Sequence, residues 1–160
     1  MEGMETPINL EELARFLNAA NKETYANKEA SKAVSLRPSS DDYHFEQGDL
    51  VYHDTYFGAR DFVGEEIVYK AGTPVWGMNY YGHVVKEDVS TADAYTILRP
   101  ALMQEYNDIL PVRGPREYVE GDSRYVNKSE GTLDWFSGIE EIYIKGDLVY
   151  RCFYHGGFIR

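Results

Sequence analysis

The chain has 160 residues, with 27 acidic against 16 basic side chains and a formal net charge of −11. That length suits one domain, residues 1–160, around one sizeable core, and the acidic balance works against direct binding to nucleic acid or to an anionic membrane. The single cysteine, Cys152, excludes an intramolecular disulfide, no stretch reaches the ~20 apolar residues of a membrane span, and the start, Met1 to Pro7, carries no apolar run of a signal peptide, so a cytoplasmic protein is expected.

The first element is a helix. Leu10, Leu13, Phe16, Leu17 and Ala20 recur at spacings of three and four and make one apolar stripe. Asn9 is placed to cap it, with Glu11 and Glu12 in the first turn, where the helix dipole favours anions. A polar stretch from Lys22 to Asp42, with Arg37-Pro38 and Ser39-Ser40-Asp41-Asp42, reads as loop. Gly48-Asp49 is a turn. Strands are expected over Leu50–Phe57, Phe62–Lys70 and Val75–Val85, with a hairpin turn at Ala71-Gly72-Thr73.

A second helical region opens at Ser90, with Asp93 three residues later. Pro100 interrupts it and predicts a kink or two short helices, 91–98 and 100–106, since proline lacks the N–H and clashes with the preceding turn. Leu110 to Pro115 reads as loop. Strands return at Tyr118, after Gly121-Asp122, over Phe136–Ile144 and over Leu148–Tyr154.

Residues 62–82 align without a gap on residues 136–156. Phe62/Phe136, Gly64/Gly138, Glu66/Glu140, Tyr69/Tyr143, Gly72/Gly146, Val75/Val149, Tyr80/Tyr154 and Gly82/Gly156 are identical. Gly48-Asp49-x-x-Tyr52 echoes Gly121-Asp122-x-x-Tyr125, one residue out of step. The expectation is an α+β fold of two tandem helix-plus-three-strand repeats, about 9–85 and 90–160. The repeats would form an antiparallel sheet or half-barrel with pseudo-twofold symmetry and helices on one face. A cleft between such halves is a favoured ligand site.

Glu66 and Glu140 occupy matching places in the strand pattern Phe-x-Gly-x-Glu. Alternation puts them on the same face as Phe62 and Val68, or Phe136 and Ile142. A carboxyl on an apolar face must be paired or neutralised, which makes both candidate general acids or bases as well as candidate structural acceptors for tyrosine hydroxyls. Trp76, Met78 and Tyr80 share one strand face, and Tyr150, Cys152 and Tyr154 share the matching one. Such ladders are sheet packing or a stacking wall for a flat ligand. Asn79 and His155, beside Gly156-Gly157, add polar groups. Arg37 and Arg113 sit in similar loops, able to clamp an anion or to tie a loop to an acid. The four histidines, His44, His53, His83 and His155, lack zinc-ligand spacing, so no metal is expected. No dinucleotide, phosphate-loop or nucleophile-elbow motif appears, and no cofactor is expected.

Several stretches resemble a bacterial domain family of unknown function. They are Thr24-Tyr25-Ala26, Arg37-Pro38-Ser39, Asp54-Thr55-Tyr56-Phe57-Gly58, Gly64-Glu65-Glu66, Trp76-Gly77-Met78-Asn79-Tyr80-Tyr81-Gly82, Arg113-Gly114-Pro115 and His155-Gly156-Gly157. That family often lies C-terminal to Xre-type helix-turn-helix regulators, and the resemblance implies sensing or dimerisation rather than a known activity. Fewer than ten residues precede the first helix here, so a DNA-binding domain is not expected. The leading expectation is a ligand-binding or sensory module in which Trp76, Tyr80, Tyr150 and Tyr154 stack a small molecule and Glu66, Asn79, Glu140 and His155 orient it. The alternatives are an enzyme working through Glu66 or Glu140, which is the less expected, and an interaction module or homodimer.

Overall fold

The computed structural model describes residues 5–24, 26–27 and 29–160. Tyr25 of the Thr24-Tyr25-Ala26 motif, and the start at Met1–Met4, lie outside them. Two helices and eight strands follow one another as α1 (Leu10–Glu23), β1 (Asp41–Gln47), β2 (Leu50–Gly58), β3 (Asp61–Lys70), β4 (Thr73–Val84), α2 (Thr91–Leu102), β5 (Glu117–Glu120), β6 (Ser123–Thr132), β7 (Trp135–Ile144) and β8 (Asp147–Phe158).

The eight strands form one antiparallel sheet in the order β1-β2-β3-β4-β8-β7-β6-β5. This corrects the expected repeat of a helix and three strands. Each half has a helix and a four-strand meander, and the halves join edge to edge through β4 and β8 into one open sheet. The strand that sequence reading left out is β1. Its Tyr43 and Phe45 alternate with Asp42, His44 and Glu46, so polar groups mask the apolar face, and the segment reads as the end of a loop. In the second half β5 is only four residues long.

Asn9 caps α1, accepting from the N–H groups of Glu11 and Glu12, and Ser90 caps α2 through the Asp93 N–H. The second helix is one continuous element, Thr91–Leu102, rather than two short helices over 91–98 and 100–106. Pro100 falls in its last turn, where the helix stops two residues later, so only one internal bond is forgone. Two-residue turns join β3 to β4 and β7 to β8, with Ala71-Gly72 and Lys145-Gly146 all at positive φ, the geometry that matches strand twist. Both inner hairpins carry a register shift at matched places, Val68/Tyr69 and Ile142/Tyr143.

The helices cover one face. Leu13, Phe16 and Leu17 of α1 and Ala94, Ile97 and Leu98 of α2 join Tyr52, Val68, Trp76, Met78, Ile142, Tyr150 and Cys152 of the sheet in one buried cluster. Burying each large side chain contributes about 1.5–3 kcal/mol. Trp76 stacks on Phe136 at 5.8 Å and donates from its indole N–H to the Leu133 carbonyl at 2.9 Å. On the other face Val63, Tyr81, Phe153 and Ile139 stand directly opposite one another across β3, β4, β8 and β7, all exposed. No helix among the described residues is long and apolar enough to cross a membrane.

Candidate functional site

Under the helices the sheet carries a run of polar groups that apolar neighbours would normally exclude. Asp54, Glu66, Arg113, Asn127 and Glu140 are all buried. The two halves arrange them alike. On β2, Tyr52 and Asp54 are two apart, and Glu66 of β3 stands opposite Asp54. On β6, Tyr125 and Asn127 are two apart, and Glu140 of β7 stands opposite Asn127. The Tyr52 hydroxyl donates to Glu66, and the Tyr125 hydroxyl to Glu140 at 2.6 Å. The Tyr80 hydroxyl donates to Asp54 at 2.6 Å, and the Tyr154 hydroxyl to the Asn127 carbonyl oxygen at 2.6 Å. Tyr80 and Tyr154 are themselves partners across the β4–β8 seam. Each tyrosine ring lies where a Cβ on Gly64, or on Gly138, would stand, so only glycine fits opposite it.

What differs is the loop over each set. In the second half Arg113, 6% exposed, donates from Nε to Glu140 Oε1 at 3.1 Å, and Nη2 reaches the same oxygen. The Tyr150 hydroxyl adds a further bond at 2.8 Å. The Gly114 N–H donates to the Tyr125 hydroxyl, and the Asn127 amide donates to the Gly114 carbonyl at 2.8 Å. Every polar group there has a partner. In the first half the corresponding Arg37 turns outward, 3.7 Å from Glu65, with 57% of its side chain exposed. Glu66 keeps one oxygen, Oε2, with no hydrogen-bond partner among the described residues. Burial and the neighbouring Asp54 push Glu66 well above the ordinary carboxylate range. Burial pushes Asp54 up too, against the pull of the Tyr80 hydroxyl and of Arg113.

Asp54 and Tyr80 border a pocket of about 290 Å³. Its walls are the rings of Tyr43, Tyr56, Phe62 and Tyr95 with Leu98 and Leu102 of α2. Arg113 closes its inner end, its guanidinium 5.9 Å from the Tyr80 ring. Lys32, paired with Asp41 at 3.0 Å, and Arg99 lie at the rim. The pocket therefore lies between the first half of the sheet and the helix and loop of the second. An acid, an aromatic wall and a cation within one cavity of this size suit a compact ligand with an apolar body and a hydrogen-bonding end.

The sequence candidates are distributed unevenly around it. Tyr80 lines the pocket, and Glu66 lies behind it, opposite Asp54. Trp76 and Tyr154 are core side chains, Tyr150 stacks on Phe62 at 6.3 Å, and Glu140 is bound up with Arg113. Asn79 and His155 are partners across the seam on the uncovered face, away from the pocket. Cys152 is buried, its thiol pushed up to about 12, which fits inert packing. Asp54 was not among the candidates. The signal was present, because extending the Tyr52/Tyr125 echo by two residues sets Asp54 against Asn127.

Residues 54–159 match the profile of a domain family of unknown function, DUF5680, and the chain belongs to that family. No curated protein and no solved structure matches it.

Proposed function

We propose that this DUF5680 domain is a small-molecule-binding, sensory module whose ligand occupies the pocket at Asp54. One observation supports this above the others. The fold accepts the same tyrosine hydroxyl with a neutral asparagine in its second half, yet sets a carboxyl at the matched place beside a cavity. A buried acid costs stability that the amide avoids, and contact with a ligand is a reason to keep it. The ligand is compact, partly aromatic, and bears a basic or hydrogen-bond-donating group toward Asp54. A bacterial, cytoplasmic setting beside a regulator, which the resemblance implies, fits such a role.

The test is a thermal-shift screen of the pure protein against metabolites, since a ligand of the native state raises the melting temperature by mass action. Asp54→Asn preserves the acceptor for Tyr80. A hit that disappears in Asp54→Asn, with the unliganded melting temperature kept, supports the reading. A hit that survives puts the ligand elsewhere, and no hit across a broad set sinks the proposal.

The unequal halves favour a second reading, an enzyme that moves a proton through Asp54 or Glu66, because an acid held neutral near pH 7 can serve as donor and acceptor. Consumption of the ligand, lost in Asp54→Asn or Glu66→Gln, would replace binding by turnover. The apolar row Val63–Tyr81–Phe153–Ile139 favours a third, pairing with a second copy across the uncovered face. Tyr81→Glu would then lower the mass seen in sedimentation.

A further inference from the structure

The β1–β2 hairpin sets two histidines face to face. His44 and His53 are directly opposed in register, and their Nδ1 atoms lie 3.3 Å apart. Behind each ring stands a carboxyl. His53 Nε2 is 2.7 Å from Asp42 Oδ2, and His44 Nε2 is 2.8 Å from Glu46 Oε1. Asp42 is wholly buried, and the Ser40 and Thr55 hydroxyls and the Leu36 N–H donate to it.

These contacts fix the tautomers. With those donors already on it, Asp42 acts as the acceptor, so His53 Nε2 carries hydrogen and its Nδ1 presents a lone pair. His44 Nε2 likewise donates to the Glu46 carboxyl, which leaves its Nδ1 a lone pair. Two lone pairs then confront each other at 3.3 Å, which neutral rings cannot satisfy. A proton on one ring, or a metal ion held between the two, resolves the conflict. Two nitrogens at tetrahedral angles on metal bonds of ~2.0–2.1 Å would stand about 3.3 Å apart. A ligating histidine characteristically donates its other N–H to a carboxyl, which fixes the ring and strengthens the ligand. Access is open, with 40% of the His44 side chain and 17% of His53 exposed.

We propose that His44 and His53 form a two-nitrogen site for a late divalent transition-metal ion, of which copper and zinc are the natural occupants, with water completing the coordination. The pocket at Asp54 plays no part in it. In sequence the two histidines are nine apart and match no zinc spacing; pairing across the hairpin brings them together.

Calorimetric titration with Cu²⁺ alone, and with Zn²⁺ alone, should give one equivalent. The electron paramagnetic resonance spectrum of the copper form should show two imidazole nitrogens. His44→Ala and His53→Ala should each weaken binding at least tenfold, while His83→Ala leaves it unchanged. Loss of His53 removes a partner of buried Asp42, so the exposed His44→Ala, checked by its metal-free melting curve, carries the result if His53→Ala unfolds. Binding untouched by His44→Ala, a one-nitrogen spectrum, or no binding tighter than about 1 mM overturns the proposal.

Discussion

Set side by side, the halves of this sheet share a backbone plan and a tyrosine–carboxyl motif, yet one is finished and the other is open. In the second half a loop arginine, a loop amide and a loop carbonyl complete the bonding of Glu140, Tyr125 and Asn127. In the first the matching arginine faces outward, Asp54 stands for the asparagine, and the space beside it is a pocket. The contrast teaches that two similar sets of strands can differ in how fully their buried polar groups are partnered, and the less complete set is the one beside the pocket.

The largest expected effect separates the two arginines. Arg113→Ala leaves Glu140 buried without its cation and should cost about 3–5 kcal/mol in urea denaturation. Arg37→Ala removes an exposed pair and should cost less than about 1 kcal/mol. Equal losses would mean that the two loops do the same work, and the contrast would fail.

Exchanging the paired residues comes next. Asn127→Asp removes the donor to the Gly114 carbonyl and adds a carboxyl beside Glu140, a loss of roughly 1–3 kcal/mol. Asp54→Asn keeps the acceptor for Tyr80 and relieves a buried acid, so stability should change by less than about 1 kcal/mol. A large loss from Asp54→Asn would make that carboxyl structural.

A smaller effect is a pH dependence that belongs to the first half. Asp54, pushed up to about 7, and Glu66, to about 8, keep their protons in the folded chain at pH values where the unfolded chain has lost them. The folded state thus binds more protons between about pH 4, the unfolded range, and about pH 8. Stability should fall as pH rises through that window and level off above it. Glu66→Gln should flatten the profile, as denaturation midpoints at a series of pH values will show. A profile left unchanged would place the titration elsewhere.

Much of this architecture was legible in the sequence, and the parts that were not have definite causes. The glycines at matched spacing exposed the inner hairpins because Gly64 and Gly138 sit under the Tyr80 and Tyr154 rings, while Gly72 and Gly146 take the positive φ of the two-residue turns. Both caps were legible because capping is local. The first strand was hidden by its own polar groups, whose partners lie in a loop and a neighbouring strand. The site was half legible. Glu66 and Glu140 stood out as paired acids, but which one Arg113 would neutralise depends on where a loop lands, and spacing along the chain does not encode that. Asn79 and His155 were placed with the aromatic ladder by nearness in sequence, whereas strand alternation turns them to the opposite face.

The seam between β4 and β8 also governs how the chain reaches this state. Seven pairings hold the sheet, and six of them join strands that follow each other in the chain. Hairpins of that kind close in ~1–10 μs. The seventh unites residues as distant as Trp76 and Phe158, and it must wait for a long loop to close. Folding speed is therefore expected to hinge on one late docking of two preformed meanders. In stopped-flow experiments Trp76→Phe, which removes the indole bond from β4 to the Leu133 carbonyl of the other half, should slow folding, while Tyr118→Phe, on the far edge, should not.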